Sequence, residues 1–74
     1  MIFDRVREII SKEFEIDEQA VTPETLLTDD LDADSLEIID LVMSLEDEFG
    51  MEVPDEAVQG FKTVGDIAKY IEEN

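Results

Sequence analysis

Phe3, Val6, Ile10 and Phe14 recur at spacings of three and four, and Ile2 and Ile9 widen the stripe. This is the period of one apolar helix face, and it predicts a first helix over about residues 2–15. A long connection follows, from Ile16 to about Ala33. In it Thr22-Pro23 offers a cap and a first helical position for a short turn, and Leu26, Leu27 and Leu31 are placed to pin the loop to a core. Asp34 is a good N-cap, with Glu37 three residues on to complete a capping box. Ile38, Val42, Leu45 and Phe49 then step by four, three and four, and Gly50 supplies the stop. Val53-Pro54-Asp55 leads into a short third helix at about 55–60. Thr63 caps a fourth, with Asp66 in the box position and Val64, Ile67, Ala68 and Ile71 on its inner face. No segment alternates as a strand does. The expected fold is all-α: a four-helix bundle of three main helices and one short one, with a long loop between the first two, and residues 1–74 forming a single domain without repeats or linkers.

The second helix carries more apolar surface than one buried face requires. At about 100° per residue, Ile38, Leu41, Val42, Leu45 and Phe49 share one face, while Leu36, Ile39 and Met43 fall together roughly a third of a turn away. Asp40, Glu46 and Asp47 border that second patch. An apolar patch rimmed by acids reads as a recognition surface; the alternative is that Leu36 and Met43 pack against the long loop. Beside the patch stands Ser35, in the first turn directly after the cap. Backbone N–H groups there lack intrahelical partners, so a phosphate ester on Ser35 is locally favoured. The plainer reading is that serine is common near helix starts. Ser11 and Ser44, the other two serines, read as ordinary helix-interior positions.

Composition narrows the chemistry. The 74 residues include no cysteine and no histidine, which removes disulfides, the usual zinc ligand sets and every Ser-His or Cys-His pair. The formal net charge is −17, from 22 acids and five bases. Between Lys12 and Lys62 lie 49 residues without Lys or Arg, and they hold 17 of the acids. Such a chain does not displace the counterions of nucleic acid and is repelled by an anionic membrane. It suits instead proteins with basic patches, whose opposite field speeds encounter. No run approaches the roughly 18 apolar residues of a membrane span, and the Met1–Arg7 start is amphipathic, unlike a signal peptide; a cytoplasmic monomer is expected. Asp30, Asp32 and Asp34 match positions 1, 3 and 5 of an EF-hand loop, but Ser35 and Leu41 stand where that loop needs Gly and Glu. An EF-hand is therefore rejected, which leaves loose divalent-cation binding by the acids as a remote alternative. A nucleic-acid mimic would need neither the serine nor the patch.

The run Leu31-Asp32-Ala33-Asp34-Ser35-Leu36, continuing through Leu41-Val42-Met43 and Leu45-Glu46-Asp47-Glu48-Phe49, resembles the acyl carrier protein family. So do Val53-Pro54-Asp55-Glu56 and Thr63-Val64, and the similarity spans essentially the whole chain. The resemblance implies a carrier and not an enzyme. It implies that Ser35 receives 4′-phosphopantetheine from a transferase that uses coenzyme A, and that the arm's thiol carries acyl groups as thioesters. It further implies that partner enzymes of acyl-chain synthesis dock basic residues on Asp34, Glu37, Asp40, Glu46 and Asp47, around Leu36, Ile39 and Met43. Leu45, Val53, Phe61 and Ile67 become candidates for lining an acyl cavity, and no metal ligands are implied. The acidity and the Leu-Glu-Asp-Glu-Phe helix end are most similar to the fatty acid type, with carriers of polyketide, aminoacyl or D-alanyl intermediates as the alternative. Two positions depart from the family's pattern: Asp32 stands where Gly is usual, and Phe61 where a smaller aliphatic is.

Overall fold

A computed structural model describes residues 2–74; Met1 lies outside the described residues. Helix α1 runs over Ile2–Phe14 and stops because Glu15 turns into the left-handed region at φ 54°; Ile16 N–H then closes back on the Ser11 carbonyl at 3.1 Å. The expected helix thus ends one residue early. The long loop holds the short turn expected at Thr22-Pro23 and, ahead of it, a second one. It is a 3₁₀ turn at Glu18–Ala20, capped by Asp17, whose Oδ1 accepts from Gln19 N–H at 3.0 Å. Thr22 and Pro23 serve a separate turn: Thr25 N–H donates to the Thr22 carbonyl at 3.0 Å, and the buried Thr25 hydroxyl accepts from Thr22 N–H at 2.8 Å.

Helix α2 spans Ser35–Phe49 and opens with the expected box: Asp34 Oδ1 accepts from Glu37 N–H at 2.8 Å and Glu37 Oε1 from Asp34 N–H at 3.2 Å. Gly50 ends it at φ 62°, ψ 40°, a left-handed cap that suits glycine. Helix α3 is Asp55–Gly60 and α4 is Val64–Glu73. α4 begins with the second box, in which Thr63 Oγ1 accepts from Asp66 N–H and Asp66 Oδ2 from Thr63 N–H. Among the described residues there is no strand, only an isolated bridge between Leu26 and Thr63.

α1 packs against both α2 and α4. The core is Val6 and Ile10 of α1, Leu41 and Leu45 of α2, and Val64, Ile67, Ala68 and Ile71 of α4, closed by Val21 and Leu27 from the loop. Each such Val, Leu or Ile contributes about 1.5–3 kcal/mol by leaving water. Leu27 is fully buried, as the loop-pinning expectation requires, with Leu26 and Leu31 half-buried beside it.

The loop is also stitched to the start of α4. Leu27 N–H donates to the Lys62 carbonyl, Val64 N–H to Thr25 and Gly65 N–H to Pro23, all at 2.9–3.0 Å. A Cβ on Gly65 would lie 2.8 Å from the Pro23 carbonyl oxygen, so only glycine lets the loop approach this closely. No helix among the described residues is long and apolar enough to cross a membrane.

Candidate functional site

The box at Asp34 fixes where α2 begins and therefore what Ser35 meets. Ser35 is exposed. The first backbone partner inside the turn is Ile38 N–H, which donates to Asp34 O at 3.0 Å, while Glu37 N–H is taken by the cap. The N–H groups of Ser35 and Leu36 have no hydrogen-bond partner among the described residues. Two donors at the positive end of a 15-residue helix thus flank one exposed hydroxyl. That is a ready anion site on which a phosphodiester fits. The nearest carboxylates, Asp34 and Glu37, are turned onto each other's backbone N–H groups, so their lone pairs are partly committed away from the incoming charge.

The two faces of α2 separate as the spacing predicts. Leu41, Val42 and Leu45 are buried, with Ile38 and Phe49 packed partly against the core. Leu36, Ile39 and Met43 are 70%, 47% and 57% exposed, and they are the exposed large hydrophobics among the described residues. They pack against neither the loop nor another helix deeply enough to be covered. Among the acids expected around them, Asp40 and Asp47 are exposed and make no hydrogen bond or ion pair among the described residues. Asp34 and Glu37 form the cap. Glu46 is different: it is half-buried, and its Oε2 accepts from Val53 N–H at 2.7 Å. The sequence carried no signal for this bond, because it depends on the path of the chain after Gly50.

One cleft touches Ser35. It lies between α2 and α3 and is lined by Ser35, Ile38, Ile39, Val58 and Gln59. The four residues expected to line an acyl cavity are not gathered there. Leu45 and Ile67 are 2% and 1% exposed and packed into the core, Val53 borders a separate acidic cleft, and Phe61 stands edge-on to Tyr70 at 5.7 Å in a groove between α3 and α4. Ile38, Val58 and Gln59 were not singled out in the sequence as lining a cleft beside Ser35. Their signal was proximity to Ser35: Ile38 is one helical turn on, and α3 is short enough to lie across the start of α2.

Asp32 takes φ 54°, the conformation for which glycine is usual, and Asp is among the few side chains that tolerate it. The remote divalent reading is not supported. Asp30 Oδ2 accepts from Leu26 N–H at 2.8 Å and Asp34 is the helix cap. Among the described residues no group of three or more His, Cys, Asp or Glu is placed to hold a metal ion.

This arrangement agrees with what the chain is similar to. The family model described as "Phosphopantetheine attachment site" matches residues 4–71. The acyl carrier protein of Clostridium perfringens (strain SM101) is 49% identical over 73 residues, covering 99% of this chain and 96% of that one. The acyl carrier protein of Lactobacillus acidophilus is 43% identical over 70 residues, covering 95% and 88%. Among solved structures, the acyl carrier protein of Enterococcus faecalis superposes with a TM-score of 0.83 at 41% identity, covering 99% of this chain and 92% of that one. A Mycobacterium tuberculosis protein provisionally assigned as an acyl carrier protein superposes at 0.92 with 30% identity, covering 99% and 97%. The fold and the family match define a phosphopantetheine-bearing carrier domain. The chain belongs to the acyl carrier protein family, whose members carry 4′-phosphopantetheine, are modified by a phosphopantetheinyl transferase and serve synthesis enzymes as carriers rather than catalysts.

Proposed function

We propose that residues 1–74 act as one acyl-carrier domain in which Ser35 Oγ is the attachment point of 4′-phosphopantetheine, and that its cargo is the growing chain of fatty acid synthesis. The observation that carries this reading is the open start of α2: an exposed hydroxyl beside two unpartnered N–H groups, continuous with the exposed face of Leu36, Ile39 and Met43. When bound, the arm supplies the thiol that holds the acyl group, which a chain without cysteine does not itself provide. The protein's own residues do the rest. The Ser35 and Leu36 N–H groups hold the phosphodiester, and Ile38, Ile39 and Val58 give an apolar wall to whatever lies against the α2–α3 cleft.

Leu36, Ile39 and Met43 form the docking patch for the transferase and for acyl-chain synthesis enzymes. Asp40 and Asp47 steer their basic residues, and Asp34, Glu37 and Glu46 add field from engaged positions. Similarity to relatives matched over almost their full length, together with the strong acidity, supports the fatty acid type. A monomer in the cytoplasm belongs to the same reading.

The test is arm transfer. With a phosphopantetheinyl transferase and coenzyme A, the intact mass should rise by one arm, mapped to Ser35. Ser35→Ala should fold and gain nothing; an arm on Ser11 or Ser44 overturns the assignment. Replacing Asp40 and Asp47 together by Asn should slow transfer at low salt and flatten its salt dependence, because those charges act on encounter.

A further inference from the structure

Met43 brings a second kind of chemistry to the exposed face of α2. The chain has no cysteine and no histidine, and its own sulfur is that of three methionines. Of the two that the structure describes, Met51 is half-buried and packed against the core, whereas Met43 is 57% exposed. Leu36 and Ile39, which share its face, are hydrocarbon and inert to a mild oxidant. The thioether of Met43 is not inert, because its sulfur lone pair accepts oxygen to give a sulfoxide.

The surroundings decide what an added oxygen does. On a helix the neighbours of a side chain stand three and four residues away, and for Met43 these are Ile39, Asp40, Glu46 and Asp47. Ile39 is apolar and the other three are carboxylates, which accept hydrogen bonds and donate none. A sulfoxide oxygen at this position is therefore an acceptor that only water satisfies. Covering the patch strips that water away, and an unpaired polar group is costly to bury. The same oxidation takes from the patch the soft, adaptable apolar side chain that suits a shared binding surface.

We propose that Met43 is a reversible oxidation site through which a peroxide closes the docking face. In the forward step the sulfur forms an S–O bond as the O–O bond of hydrogen peroxide breaks. The sulfur gives up two electrons, and the proton of the transferred hydroxyl joins the departing hydroxide as water. In the reverse step a dithiol reductase removes the oxygen as water while its two thiols close to a disulfide. The inference deepens the proposed function and rests on the docking face assigned there.

The test starts from the full chain without its arm. The protein is treated with hydrogen peroxide, catalase destroys the excess, and peptide masses follow each methionine. Met43 should gain an oxygen severalfold faster than Met51; equal rates, or Met51 first, overturn the site. Arm transfer is then measured with a phosphopantetheinyl transferase and coenzyme A. In the Met43-oxidised protein kcat/KM should fall roughly fivefold or more, the low end of the cost of burying an unpaired polar group, while the melting temperature stays that of the untreated protein. The two methionine sulfoxide reductases, one for each epimer, should restore the rate. Met43→Leu, compared only with its own untreated rate, should be indifferent to peroxide. A loss that persists in Met43→Leu, that follows a lower melting temperature or that the reductases do not reverse overturns the proposal. Arm transfer to Ser35 that is equally fast with Met43 oxidised refutes the oxidation switch alone, whereas no transfer in the untreated protein refutes the function on which it rests.

Discussion

Asp34 at the start of α2 and Thr63 at the start of α4 form the same reciprocal box with the residue three places on, yet the two helix starts face opposite situations. At α4 the first N–H groups are spent: Val64 donates to Thr25 and Gly65 to Pro23, with the loop lying so close that a Cβ on Gly65 has no room. At α2 the equivalent N–H groups, of Ser35 and Leu36, have no partner among the described residues, and both residues are exposed. A capping box therefore does not make an anion site. What distinguishes the two is whether a distant segment of chain arrives to consume the remaining donors. The long loop seals one start and leaves the other open.

The difference continues along the helices. α4 turns Val64, Ile67, Ala68 and Ile71 inward, whereas α2 divides between a buried face and an exposed one. The largest effect expected on stability tests that division. Leu45→Ala should cost about 2–5 kcal/mol in denaturant unfolding, the range for a buried Leu, and Met43→Ala should stay within about 0.5 kcal/mol, as for a surface site, while slowing arm transfer. Comparable losses for the two would show that Met43 belongs to the core and would break the contrast.

Next in size is the sealed start itself. Gly65→Ala pushes a methyl group against the Pro23 carbonyl and should cost about 1–3 kcal/mol, as overpacking does. Ser35→Ala at the open start should change stability by no more than about 0.5 kcal/mol. A neutral Gly65→Ala would mean that the loop yields and does not seal.

A smaller effect is the pH dependence of the box at α4. The Asp66 carboxyl lies below its ordinary 3.8, chiefly because Lys62 N–H donates to it; burial opposes this, and the Thr63 bonds and the Lys62 charge assist. A carboxyl whose folded-state value is depressed stabilises the fold above its unfolded value, and that contribution disappears as pH falls through the folded value. The thermal stability gap between the parent and Asp66→Asn should therefore be present at pH 7 and close progressively below about pH 4. A gap independent of pH would mean that the charge of Asp66 contributes nothing. The smallest effect is at Asp32. Asp32→Gly removes the left-handed cost at φ 54° but loosens the unfolded chain, so the melting temperature should move by the equivalent of no more than about 0.5 kcal/mol.

Both helix starts, the Gly50 stop and the two faces of α2 were legible because they are written in residues three to four apart. The rest needed contacts that no local spacing encodes. The turn at Thr22-Pro23 was legible, whereas the 3₁₀ turn that Asp17 caps was not read, because it depends on how the loop leaves α1. The sealing of α4 joins Pro23 to Gly65, about forty residues apart, and a lone glycine at a second helical position gave no warning of it. Glu46 read as a surface acid because its bond to Val53 is made only after the chain reverses at Gly50. Leu45 and Ile67 were apolar and interior as expected. Both are packed into the core.

Backbone amide exchange at the four N–H groups, before and after arm attachment, tests the contrast most directly. In the unmodified protein Ser35 and Leu36 should exchange at nearly unprotected rates while Val64 and Gly65 are protected. Attachment at Ser35 should slow the first pair, as the phosphodiester occupies their N–H groups, and leave the second pair unchanged. Equal protection of the two pairs before modification, or an arm that attaches without slowing Ser35 and Leu36, would contradict the claim that the open helix start is what receives the phosphate.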